Sequence, residues 1–256
     1  MKSISLYVDN GTYLTKIHPF TKLFYIVTAV LSAVISGNLW VYVIFVGISS
    51  LALISAGLFK KAIPLVVFSF TVLIVIFLIQ GLFYYKNVMP LLALGPLTFY
   101  REGVLHATRI GFNILNMLFS FAIFVLSTKP QDLVEELEKK GFSPRFGYII
   151  TSVFQIIPQM MGTMNTITDA QRSRGMETEG SLFVRAKAFI PLISPVVMNS
   201  LTNTRERAIA LEVRGFDSKE KKTYLSEWKK RKSDTVLNIL FAVIIAGVIV
   251  WRIGIF

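Results

Sequence analysis

Residues 63–83 read IPLVVFSFTVLIVIFLIQGLF, inside an uncharged run from Ala62 to Tyr85. As a helix rising about 1.5 Å per residue, such a run is long enough to cross a bilayer core of about 30 Å once. Pro64 sits near its start, where a missing amide donor costs least. Upstream, the 37 residues between Lys22 and Lys60 carry no formal charge. At about 55 Å if wholly helical they overshoot one crossing, so the chain must fold back. Gly37-Asn38 is the turn signal, which separates a span near Phe20 to Ser36 from one near Leu39 to Leu58. Downstream, further spans run from about Gly103 or Ile110 to Ser127 and from about Thr235 to Trp251. The expected fold class is all-α, a polytopic membrane protein with about five transmembrane helices. The first run follows a polar segment of about twenty residues and has no obvious small-residue cleavage site, so it reads as a permanent helix.

Composition agrees with this reading. Of the 256 residues 54% are apolar and 16% charged, too oily for an ordinary water-exposed surface. The net charge of +12 would suit nucleic acid, but the positions of the charges argue for a membrane instead. An N-terminus in the cytoplasm gathers Lys16, Lys22, Lys60, Lys61, Lys129, Lys139, Lys140, Lys229, Lys230, Arg231 and Lys232 inside, leaving Lys86, Arg101, Arg109 and Arg252 outside. The expectation is N-terminus in, C-terminus out, in the cell membrane, with lipid and no nucleic acid as partner. There is no cysteine, and His18 and His106 are the two imidazoles. Both flank spans and read as interfacial residues. No metal, cofactor or catalytic residue is expected. The membrane region lacks Asp and Glu from Asn10 to Arg101 and again from Gly103 to Gln131, which argues against ion-coupled carrier chemistry. Gln80, Asn113 and Asn116 read as interhelical hydrogen-bonding residues rather than substrate contacts. The segment Tyr84 to Arg101, with Pro90, Gly95 and Pro96, reads as a loop that could dip into the membrane interface.

Three domains follow: 1–127 with four spans, 128–234 as a cytoplasmic domain of long helices, and 235–256 as the last span. Residues 128–234 hold 18 basic and 13 acidic side chains. A helix around Pro130 to Lys140 is favoured by Pro130 in its first turn, by Asp132 at its positive end and by the pairs Glu135/Lys139 and Glu136/Lys140, with Gly141 as its stop. Ser143-Pro144 reads as the cap and first residue of a second helix. That helix carries Val153, Ile156, Ile157, Met160, Met164 and Ile167 at helical spacing, bends at Pro158 and runs to Arg174-Gly175. A third runs from about Leu182 to Arg214-Gly215, with early bends at Pro191 and Pro195.

The second and third helices end alike. At an offset of 40 residues, Ala170, Ser173, Arg174, Gly175 and Met176 fall opposite Ala210, Val213, Arg214, Gly215 and Phe216. Either copy alone is a helix C-cap, with Arg at the negative helix end and Gly in a left-handed turn. Two copies on consecutive helices suggest a double docking device, since a guanidinium makes forked contacts with a carboxylate. Met160, Met161, Met164 and Met176 could add an adaptable apolar surface, although core packing is their commoner use. Lys219 to Lys222 and Lys229 to Lys232 read as membrane-flanking or solvated charges.

This order of parts resembles the transmembrane T component of energy-coupling factor transporters, within the ATP-binding-cassette importers. The segment Ile17-His18-Pro19-Phe20-Thr21-Lys22-Leu23 is similar to that family's Asp-Pro-Arg-Thr-Lys-Leu element, with His18 in place of Asp. Ser173-Arg174-Gly175 and Val213-Arg214-Gly215 resemble its paired Ala-Arg-Gly motifs. The resemblance implies that these six residues couple to two ATPase subunits, and that one membrane-embedded S component captures a vitamin or related micronutrient. It also implies that this chain is noncatalytic, hydrolysis being done by partners; it carries no phosphate-binding loop of its own. The alternatives are a stand-alone carrier or channel, and an intramembrane enzyme, for which no acid-base or metal constellation is present.

Overall fold

A computed structural model describes residues 7, 10–86, 88–94, 97–175, 182–218, 220, 223 and 231–254. Gly95, Pro96, Met176 and Lys219, Lys221, Lys222, Lys229 and Lys230 lie outside them. The elements run α1 (Tyr13–Lys16), α2 (Pro19–Ser36), α3 (Leu39–Ser55), α4 (Phe59–Phe83), β1 (Pro90–Leu94), β2 (Leu97–Tyr100), α5 (Arg101–Ser127), α6 (Pro130–Lys139), α7 (Pro144–Ser173), α8 (Leu182–Val213) and α9 (Lys232–Ile253). The fold is all-α and polytopic. Among the described residues α2, α4, α5 and α9 are long and apolar enough to cross a membrane, and α3 is a shorter apolar helix of 17 residues. At about 25 Å, α3 falls a few ångströms short of the hydrocarbon core. It stops earlier than expected because Gly57, at φ +67°, turns the chain: the Gly57 and Leu58 amides donate to Ile54 and Leu53.

The chain divides into two compact units, one of residues 5–133 and 228–256, the other of 1–4 and 134–227. In the first, α5 is central and packs against α2, α3 and α4, while α9 lies along α2. Small and polar side chains let α2 and α5 approach closely: Ala29, Ser32 and Ala33 on one, Asn116 and Ser120 on the other, all buried. Asn116 donates from Nδ2 to the Ala29 carbonyl at 2.8 Å, the interhelical use its type suggested. A second cluster of Leu14, Leu53, Leu58, Phe119, Ile123 and Leu126 joins α1, α3 and α5. The Gly37-Asn38 turn is a cap on both sides. Gly37, at φ +60°, donates to Ala33, and the Asn38 side chain accepts from the Trp40 amide at 3.2 Å.

The segment before α5 is an antiparallel hairpin, with Leu94 opposite Leu97 and Pro90 opposite Tyr100. Glu102 on α5 pins its root by accepting from the Val88 and Met89 amides. Helix α6 stops at Lys139, and Gly141, at φ +103°, turns the chain after it as expected. Lys139 bonds both Glu136 at 2.9 Å and Glu135 at 3.2 Å. Pro144 opens α7 as foreseen, but Ser143 holds the cap position without a side-chain hydrogen bond.

Candidate functional site

α7 and α8 run antiparallel. Near the start of α7 the Tyr148 ring lies 5.3 Å from that of Phe216, and Arg145 meets Asp217 at 3.1 Å. Further along, Arg207 donates to the Gln159 side chain at 2.6 Å. A shallow cleft beside that contact is lined by Ile156, Met160 and Thr163 from α7 and by Ser200, Asn203 and Thr204 from α8. Because the helices are antiparallel, their two C-terminal ends lie at opposite ends of the pair. From Tyr148, which marks the Arg214 end, α7 runs roughly 40 Å along its axis to Arg174.

Both ends are built by the same backbone chemistry. Helix α8 stops because Gly215, at φ +71°, turns the chain back: its amide donates to Glu212, and the Phe216 amide to Leu211. This pair of bonds satisfies carbonyls that the helix leaves open. At the other end Gly175, at φ +87°, donates to Arg172 in the matching position. Arg174 and Arg214 therefore occupy equivalent places one residue before the turn. Both are exposed, and among the described residues neither guanidinium makes a hydrogen bond or ion pair. Ser173 is exposed and returns its hydroxyl to the Asp169 carbonyl at 3.1 Å, and Val213 is 83% exposed. The ordinary cap and the free cation coexist: glycine shapes the end, and arginine is left to offer its fork to solvent.

The apolar stripe of α7 is only partly covered. Ile156, Met160, Met164 and Ile167 are half-buried, whereas Phe146, Ile149, Val153, Phe154, Ile157 and Met161 are exposed. Gly147 is buried in α7, where an added Cβ would run into the Glu138 side chain.

A second arrangement escaped the reading of the sequence. Lys22, in the first turn of α2, is 4% exposed; its Nζ donates to the Ser127 carbonyl at 2.8 Å and to Thr128 Oγ1 at 3.3 Å. The Asp132 and Asp234 carboxylates act on it electrostatically. Asp234, 3% exposed, accepts from the His18 amide at 3.3 Å and the Arg231 amide at 3.0 Å. His18 itself caps α2, its Nδ1 accepting from the Phe20 amide at 3.2 Å, so it keeps the acceptor that an Asp would supply. A cavity of about 230 Å³ beside this junction is lined by Thr15, Lys16, Pro19, Lys22, Ser127 and Asp132, among others. The signal in the sequence was a lysine in an acid-free run. Its partners lie more than a hundred residues away.

Apolar helices long enough to span a bilayer, together with a pair of long helices that each end in an exposed arginine, define a polytopic all-α membrane protein. Comparison with known proteins gives the class a family. The profile described as CbiQ, cobalt transport protein, matches residues 10–225. The energy-coupling factor transporter transmembrane protein EcfT of Staphylococcus aureus is 30% identical over 209 residues, 77% of this chain and 76% of that protein. That of Brevibacillus brevis is 26% identical over 265 residues, 98% of each. That of Listeria innocua is 29% identical over 188 residues, 70% of this chain and 71% of that protein. The chain belongs to this family of energy-coupling factor transmembrane proteins, and it is a membrane component of a transporter.

Proposed function

We propose that the chain transmits motion from two ABC-type ATPase subunits to one membrane-embedded S component, which takes up a vitamin or related micronutrient across the cell membrane. The observation that carries this reading is the pair of exposed, glycine-shaped helix ends at opposite ends of one helix pair. Two separated cations suit two copies of a soluble partner better than one compact ligand. Arg174 and Arg214 each enter an acidic groove on an ATPase. Ser173, Gly175, Val213 and Gly215 give each end its shape. Hydrolysis belongs to the partners, and this chain is noncatalytic.

Residues 128–234 are then the coupling domain on the cytoplasmic side, between the membrane parts 1–127 and 235–256, with the N-terminus inside and the C-terminus outside. The exposed apolar side chains of α7, together with Met198 and Leu201 of α8, offer the S component an apolar footing. Co-purification with the cognate ATPases tests the reading. Replacing both Arg174 and Arg214 by Glu should abolish assembly and uptake. Unchanged assembly removes the docking role, and solute uptake by the chain alone in liposomes would favour the stand-alone carrier instead.

A further inference from the structure

We infer that Lys22 is a positioning residue for transport: together with the neighbouring His18 amide it ties the roots of the α6–α8 insertion to the first turn of α2, so that motion of the helix pair is delivered to the membrane helices. This rests on the coupling role proposed above. The insertion joins the membrane unit by two covalent connections. The outgoing one follows the end of α5 through Ser127, Thr128 and Asp132; the returning one enters α9 through Arg231 and Asp234. The first turn of α2 holds both. Lys22 grips the outgoing connection through the Ser127 carbonyl, at the negative end of α5, and through the Thr128 hydroxyl. The returning connection is held by the His18 amide on Asp234, and the Asp132 and Asp234 carboxylates act on the Lys22 charge through space.

A buried ionic cluster adds little stability over well-packed apolar side chains, but its directional bonds can select one arrangement of the segments they join. Here those segments are the two ends of the part that moves. Apolar packing would hold α2 against α5 while leaving Thr128 and Arg231 free to pivot. A lysine bonded to the last carbonyl of α5 removes that slack.

The absence of cysteine allows spin-label pairs at single introduced cysteines. One pair, at exposed polar Gln155 and Asn199 on α7 and α8, reports on the helix pair; the other, at exposed Phe68 and Val243, reports on the membrane helices. The full complex, with its ATPases and membrane partner, is measured without nucleotide and with ATP under non-hydrolysing conditions. In wild type both distances should change. With Lys22→Met the complex should assemble and the first distance change as before, while the change in the second is lost. Lys22→Arg should restore it.

Movement of both pairs in Lys22→Met as in wild type overturns the inference. So does a parallel loss of both changes, or of assembled complex, that Thr128→Val does not reproduce at the membrane pair alone. If the wild-type helix pair shows no response to ATP, the coupling role fails first, and the inference falls with it.

Discussion

Reversing the charge at Arg174 tests the docking geometry most directly. The side chain is exposed, and no described residue bonds its guanidinium, so within the described residues Arg174→Glu costs only the favourable charge at the helix end. Its own stability should therefore fall by no more than about 1 kcal/mol. Against a partner carboxylate the loss is larger. Breaking one hydrogen-bonded charge pair in an interface costs about 2–5 kcal/mol, or roughly 30- to 4,000-fold in affinity at about 1.4 kcal/mol per decade. Arg214→Glu should behave in the same way. The two ends are separated by roughly 40 Å of helix, several times a Debye length of about 8 Å, so their effects should add in the double variant. Titration of purified ATPase subunits onto the chain in nanodiscs, read by bound stoichiometry, checks this. Each single variant should bind one ATPase at wild-type affinity and the second weakly. Uniform weakening at both sites, or a double variant no worse than either single one, would refute the idea of two independent docking ends.

Other outcomes follow from local geometry. Gly215→Ala puts a Cβ into open space but at φ +71°, so backbone strain alone should cost about 1 kcal/mol, seen as faster amide exchange at Phe216 and Gly215. Asn116→Ala removes the bond to the Ala29 carbonyl and should lower thermal stability in detergent by about 0.5–2 kcal/mol, whereas Asn113→Ala should do less. Asp217→Asn breaks an ion pair whose side chains are more than two-thirds exposed, so the unfolding midpoint should barely move, by less than about 0.5 kcal/mol.

Much of this architecture could be read from the order of residues because water and lipid impose blunt rules. A charge is costly in hydrocarbon, so the uncharged run around Ile63 marked α4, and the break at Gly37-Asn38 divided α2 from α3. Helix ends were equally legible at Gly141, Gly175 and Gly215, since glycine enters the left-handed turn without a Cβ penalty. The hairpin was not, because PLLALGPLTFY mixes leucines with turn residues and shows neither a two-residue nor a helical repeat clearly. The four-residue α1 was too short to leave a pattern. The antiparallel pairing of α7 with α8 depends on contacts such as Gln159 with Arg207, 48 residues apart, which no local period encodes. For the same reason the paired endings were visible while their placement at opposite ends was not. Lys22 was legible as a positive charge and as part of the Ile17–Leu23 element, but its contacts were not, since Ser127 is 105 residues away and the bond from His18 to Asp234 spans 216.

Among the described residues the antiparallel pair is also lopsided. The Phe216 ring rests on Tyr148 and Asp217 on Arg145, so the Arg214 terminus is moored to the base of α7, while Arg174 sits at the far tip of a 30-residue rod. A small swing about the Gln159–Arg207 crossing sweeps the distal tip through a wider arc than the moored one. Two ATPase subunits seated on these ends, as proposed above, would therefore push against unequal loads.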